Sequence, residues 1–145
     1  MEHKPEDWIG CWINKVERAI NNIHDKKLQQ YDLTVSQVLV LHQLWNKDGL
    51  TQKEIQKNLN LRPASVSGLV DMLLRKGFID RKQDDQDARF KRLYLTEEGR
   101  RLKDLSLEVI KEIEHIISQG FSEEEKVIFI LWMRKLYNNL NALEK

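Results

Sequence analysis

The stretch LTQKEIQKNLNLRPASVSGLVDMLLRKGFIDRKQDDQDARFKRLYLTEEG, Leu50 to Gly99, changes its local pattern three times. Thr51-Gln-Lys-Glu54 opens a helix with a capping box, in which the Thr hydroxyl accepts from the third amide and the Glu reaches back to the cap amide. Ile55 and Leu59 mark the apolar side of this short helix, Gln52 to Asn58. A brief turn, Leu59-Asn60-Leu61-Arg62, leads to Pro63, which suits a first helical position because its missing N–H has no partner there anyway. Val66, Leu69, Val70 and Leu73 then recur at helical spacing over Pro63 to Lys76. After Gly77 the pattern changes to two short segments rich in aromatic and branched residues, Phe78 to Arg81 and Phe90 to Leu95, joined by Lys82 to Arg89. The spacing predicts a helix-turn-helix followed by a two-stranded hairpin.

Working outward, the rest of the chain reads as helix. Thr34-Val-Ser-Gln37 and Ser122-Glu-Glu-Glu125 also fit the capping box, and Thr96-Glu97-Glu98 places carboxylates in a positive first turn. Gly49, Gly77 and Gly120 follow periodic runs and suit left-handed caps. Trp8, Ile9, Trp12, Ile13, Val16, Ala19, Ile20 and Ile23 form one stripe from about Glu6 to Gln30, and Val38, Leu41 and Trp45 form another on Val35 to Asn46. Leu102, Leu105, Val109, Ile113 and Ile116 mark a fifth helix. Val127, Ile130, Leu131, Leu136, Leu140 and Leu143 mark a sixth. With two Pro and six Gly in 145 residues, breakers are few and a mainly α fold with a small β-wing is expected.

Charge is unevenly placed. The net charge is +1, but Thr51 to Lys103 holds thirteen Lys/Arg against eight Asp/Glu, and both flanking segments are acidic. A basic module between acidic flanks fits a nucleic-acid reader on a separate scaffold. Around the start of the second helix of the pair, Ala64, Ser65, Ser67 and Gly68 are small enough to bring the backbone near base edges. Arg62 stands beside a helix N-terminus that favours phosphate. Gln52, at the start of the first helix, joins these candidates. In the hairpin, Arg81, Arg89, Lys91 and Arg92 suit DNA contact, while Asp87 is expected to pair with Arg81 and brace the wing. The alternative for this segment, with nine of seventeen residues charged from Asp80 to Thr96, is a solvated hairpin whose ion pairs contribute little.

These residues resemble a MarR-type (multiple antibiotic resistance regulator) winged helix-turn-helix transcription factor. The likeness rests on Gly77 closing the reader helix, Arg81 opening the wing, Asp87-Ala88-Arg89 at its tip and Leu95-Thr96-Glu-Glu-Gly99 after it. Many relatives carry a further Arg where Ala88 stands, which leaves the tip to Arg89. The resemblance implies a homodimer built by the first and last two helices, binding a roughly palindromic duplex operator as a repressor. The expected division is 34–99 for the winged domain, with 1–33 and 100–145 for dimerisation. Independently, the first stripe is wide, and the sixth helix is apolar at Ile128, Phe129, Trp132 and Met133 besides its main face, so several of its sides need covering.

The resemblance also implies a small aromatic or lipophilic effector, with Trp12, Tyr31, His42 and Trp45 as candidates for the pocket, although aromatic stripes at helical spacing are more often core than pocket. Cys11 is the single cysteine. One branch of the family senses hydroperoxides through a first-helix cysteine, but that place falls on Gly10 here, and one residue turns a helix by about 100°. A small buried hydrophobe is the plainer reading of Cys11. His3, His24, His42 and His115 lack metal-ligand spacing, so neither metal nor cofactor is expected. No enzyme motif is present, no apolar run reaches the roughly 18 residues of a membrane span, and a cytoplasmic location is expected. Two alternatives remain: a redox-responsive regulator using Cys11, and a winged-helix module that binds protein, for which the basic wing has no use.

Overall fold

The computed structural model describes residues 4–144; His3 lies outside them. It comprises two compact units, Met1–Lys111 and Glu112–Lys145.

In the first unit a 3-10 turn, Pro5–Asp7, precedes helix α1, Ile9–Gln29. The helix starts later than the apolar stripe suggests because Trp8 is extended (φ −99°, ψ 126°), and the Trp12 indole N–H donates to the Glu6 carbonyl across that start (2.8 Å). Leu28 is the one fully buried residue of α1. Beyond it the chain turns sharply, with Leu33 N–H returning to the Leu28 carbonyl (3.2 Å) and Asp32 left-handed at φ 57°. Helix α2, Val35–Asn46, has its capping box complete between Thr34 and Gln37. Its buried side, Val38, Val40, Leu41 and Leu44, is wider than the expected stripe.

Leu50–Thr51 forms β1, a strand the sequence pattern does not announce. Helix α3, Gln52–Leu59, follows with the Thr51–Glu54 box complete, and Asn60 ends it in the left-handed region (φ 51°). Helix α4 is Pro63–Arg75. Strands β2, Ile79–Gln83, and β3, Lys91–Leu95, make the hairpin. The sheet order is β1-β3-β2, all antiparallel, with Leu50 opposite Leu93 and Arg81 opposite Leu93 on the other side. Alternation along β3 sends Leu93 and Leu95 inward, where they join Val40, Leu44, Ile55, Val66, Val70, Leu73 and Ile79 in one core.

Helix α5, Glu97–Ile117, begins at Thr96, whose hydroxyl accepts from the Gly99 amide (3.1 Å) and donates to the Gly77 carbonyl (2.6 Å). Gly99 is obligatory by space: a Cβ there would lie 2.0 Å from the Phe78 carbonyl oxygen. Gly49, Gly77 and Gly120 have positive φ, as their placement after helical runs predicts.

The second unit holds the end of α5 and helix α6, Glu123–Asn141. Ser122 caps α6 by accepting from the Glu125 amide (3.1 Å). No residue of α6 is buried within one chain. Among the described residues, no helix is long and apolar enough to cross a membrane.

Candidate nucleic-acid interface

Helix α4 has two contrasting sides. Val66, Val70 and Leu73 are completely buried, which fixes the helix by its apolar face. The other side of the first turns carries Ala64, Ser65 and Gly68, all exposed, with Ser67 half-buried. Nothing lies within 4 Å of where a Gly68 Cβ would stand, so this surface is open to a close partner. Arg62 is the N-cap residue, exposed, with no side-chain capping bond. The small-residue surface, the exposed Arg62 and the positive helix end therefore lie together at the start of α4.

The wing is organised differently from expectation. Asp87 does not pair with Arg81. Its carboxylate takes Arg89 instead, through Nε (3.0 Å) and Nη2 (2.7 Å), and also accepts the Arg89 amide (3.1 Å). The short Asp87-Ala88-Arg89 turn brings these two together, whereas Arg81 lies on the side of β2 that faces the helices. There Arg81 donates to the Gln52 amide oxygen (3.4 Å) and lies 3.9 Å from Asp71 of α4. Gln52 thus supports Arg81. The Arg89 side chain is 85% exposed despite its carboxylate partner.

Arg92, expected as a phosphate contact, has its guanidinium occupied internally. Nε donates to Asp84 Oδ2, Nη1 donates to the Gly49 carbonyl (2.9 Å), and Glu54 Oε2 lies 4.0 Å away. Asp84 also accepts the Gln86 amide (2.8 Å) through its other oxygen. Arg92 and Asp84 are therefore the brace that sequence reasoning assigned to Arg81 and Asp87. Asp84 was missed because its partner is set by the turn geometry and the strand register. Lys91 remains exposed, and the Lys82 ammonium stands 5.5 Å from the Tyr94 ring centre.

The electrostatics follow the geometry. The Arg92 hydrogen bond, then the Gln86 amide, hold the Asp84 carboxyl below its ordinary range. The side-chain and backbone bonds from Arg89 do the same for Asp87. Glu54 is lowered first by the Thr51 amide it caps. Each of these carboxylates has a cation or amide donor beside it, so the wing presents a mixed surface on which Lys82, Arg89 and Lys91 are exposed positive groups.

The four effector candidates do not converge. The His42 and Trp45 ring centres are 6.5 Å apart, and Trp45 is half-buried with its indole N–H on the Gly99 carbonyl (2.9 Å). Trp12 is exposed with the Lys15 ammonium 5.0 Å from its ring centre, and Tyr31 is half-buried elsewhere on the α1–α2 corner. Among the described residues, no ring contact joins Trp12 or Tyr31 to the other pair. A shallow depression of about 300 Å³ lies on the wing instead, lined by Asp84, Asp85, Gln86, Arg92 and Tyr94. Cys11 is half-buried on α1. His24 Nε2 is buried without a hydrogen-bond partner, and burial pushes its pKa down against the opposing pull of Asp25. Among the described residues, no three His, Cys, Asp or Glu side chains cluster to hold a metal ion.

Comparison with known proteins identifies the family. Residues 33–91 match the model of the MarR family. The uncharacterized HTH-type transcriptional regulator YwoH of Bacillus subtilis (strain 168) is 30% identical over 118 residues, covering 81% of this chain and 85% of its own. The HTH-type transcriptional repressor YetL of the same organism is 30% identical over 96 residues, covering 66% of this chain and 57% of its own. The crystal structure of the S. aureus MepR–DNA complex superposes with a TM-score of 0.79 at 30% identity, covering 91% of this chain and 98% of that one. No enzyme family is indicated. The chain belongs to the MarR family and is a DNA-binding winged-helix transcriptional regulator.

Proposed function

We propose that the chain acts as a homodimeric repressor that binds a dyad-symmetric duplex operator, with 34–99 as the reading domain and 1–33 and 100–145 as the dimerisation region. The observation that carries the dimer is the apolar surface left uncovered by a single chain. Trp8 just before α1, Trp12 and Val16 on α1, and Ile128, Leu131, Trp132 and Tyr137 on α6 are all exposed. So many exposed large apolar side chains are unusual on a monomer and mark interaction surfaces, and twofold dimers are the commonest way to cover them. YetL is named a repressor and MepR is seen on DNA; both support the reading.

In this reading α4 lies in the major groove, with Ser65, Ser67, Ala64 and Gly68 at base edges and Arg62 on phosphate. Arg89 and Lys91 meet the flanking backbone or minor groove, while Arg81 and Arg92 shape the wing. Release of the operator by an aromatic or lipophilic effector belongs to this reading, though Trp12, Tyr31 and the His42–Trp45 pair do not form one pocket within a single chain. The protein works in the cytoplasm, with access to the chromosome.

The test is sedimentation of the full chain alone and with an inverted-repeat duplex selected from a random pool. Two chains per duplex support the proposal. Trp132→Glu is expected to convert dimer to monomer and abolish operator binding. A wild-type chain that sediments as a monomer at micromolar concentration and binds one half-site alone refutes it.

A further inference from the structure

The far end of the reader helix is tied to the corner between α1 and α2 by one ammonium group. Lys76, the C-cap of α4, donates through Nζ to the Asp32 carbonyl oxygen (2.5 Å) and to Gln37 Oε1 (3.2 Å). Asp32 Oδ1 lies 3.5 Å away, but that carboxylate is 80% exposed while the Lys76 side chain is only 17% exposed. An exposed ion pair adds little, so the buried Gln37 amide oxygen, with the Asp32 carbonyl beside it, makes the tie.

Each acceptor is itself fixed. Asp32 is held left-handed, and Gln37 Oε1 also accepts the Thr34 amide that begins α2 (3.2 Å). The Val35 amide donates to Asp25 Oδ1 of α1 (2.8 Å). The end of α1, the cap of α2 and the end of α4 therefore meet around Lys76. Helix α4 has 13 residues, roughly 20 Å at 1.5 Å per residue, so a tilt of about 6° at the Lys76 end moves the reading end by about 2 Å. One base pair of operator spacing corresponds to about 3.4 Å.

We propose that Lys76 is a positioning residue that fixes the angle between the reader helix and α1 and so sets the half-site spacing the protein accepts. The proposal rests on the homodimer reading, in which α1 joins the two chains. It concerns geometry between readers, so a loss at Lys76 separates from a loss of DNA contact.

Lys76→Met keeps the stem of the side chain and removes the donor; Lys76→Arg keeps a donor. The full-length variants are compared by fluorescence anisotropy on the selected operator, on the same operator with one base pair inserted or deleted between half-sites, and on a single half-site. Wild type is expected to prefer the native spacing at least about tenfold, a margin within the usual cost of one mismatched contact. Lys76→Met is expected to cut that preference to about twofold while half-site affinity stays within about threefold. Lys76→Arg is expected to restore most of the preference. A Lys76→Met protein that weakens on all duplexes alike, or that keeps the wild-type preference, overturns the proposal. Wild type with no spacing preference sinks the homodimer reading instead. If Lys76→Met does not fold, Lys76→Leu, which also lacks a donor, carries the same prediction.

Discussion

Arg92 and Asp84 close the wing on itself: the Arg92 Nε–H donates to Asp84 Oδ2 while the same guanidinium holds the Gly49 carbonyl at 2.9 Å. The pair links the tip of the hairpin to the loop before α3. This gives Asp84→Asn an unusual expected sign. Removing a negative charge near DNA should strengthen binding by simple attraction. If the brace positions Arg89, Asp84→Asn and Arg92→Ala should both weaken operator binding at least about fivefold, comparable to losing one specific contact. Fluorescence anisotropy at fixed salt decides it, and tighter binding by Asp84→Asn sinks the brace.

Arg89 is the wing's outward arginine, although Asp87 holds it at 2.7 Å in the free chain. Arg89→Ala is expected to leave thermal stability unchanged and to reduce the slope of log affinity against log salt by about one per reader. An unchanged slope would remove Arg89 from the phosphate or groove contacts.

Two glycines test space at opposite ends of the reading unit. Gly99→Ala places a methyl against the Phe78 carbonyl and is expected to destabilise by roughly 3 kcal/mol, at the upper end of overpacking. Gly68→Ala meets nothing and is expected to stabilise α4 by about 0.5–1 kcal/mol, because Gly is a poor helix former. The added methyl stands on the reading surface, so operator affinity should fall as the melting temperature rises. Melting curves and anisotropy on the same preparations check both halves.

Strong acid should loosen the wing. Asp84 and Asp87 are held below their ordinary 3.8, and Glu54 below 4.5. A carboxyl with a depressed folded pKa contributes stability that is complete above its ordinary value and lost as pH falls through the depressed one. His24 adds a separate step: its folded pKa lies below 6.5, so the fold favours neutral imidazole, and this contribution declines as pH drops below 6.5. Asp84→Asn is therefore expected to melt lower than wild type at pH 7 and to show a shallower loss below pH 4. Parallel melting curves across that range would dissociate the brace from folding.

Much of this was legible in the sequence because helix starts are local events. Thr34 and Thr51 close their boxes as read, and the buried line Val66, Val70, Leu73 is a matter of spacing along one helix. Strand β1 was not legible, since its two residues become a strand only by pairing with Leu93 and Arg92, far along the chain. The wing's ion pairs failed for the same reason. Asp87 can reach Arg81 or Arg89 by composition, and only the folded tip, with Asp84 turned onto the Gln86 and Asp87 amides, decides between them. Asp32 and Asn60 adopt left-handed turns where glycine was the signal sought.

Helix α6 has no residue buried by its own chain. Its order then depends on what covers it, and if that cover is a second copy, its folding is second order in protein. Dilution would act on this helix as heat acts on the winged core. Newly made chains at low abundance would carry it as a protease-sensitive tail, and only accumulated chains would shelter it. On the homodimer reading, the cell's amount of regulator would set how much of this helix is sheltered, before any operator is met.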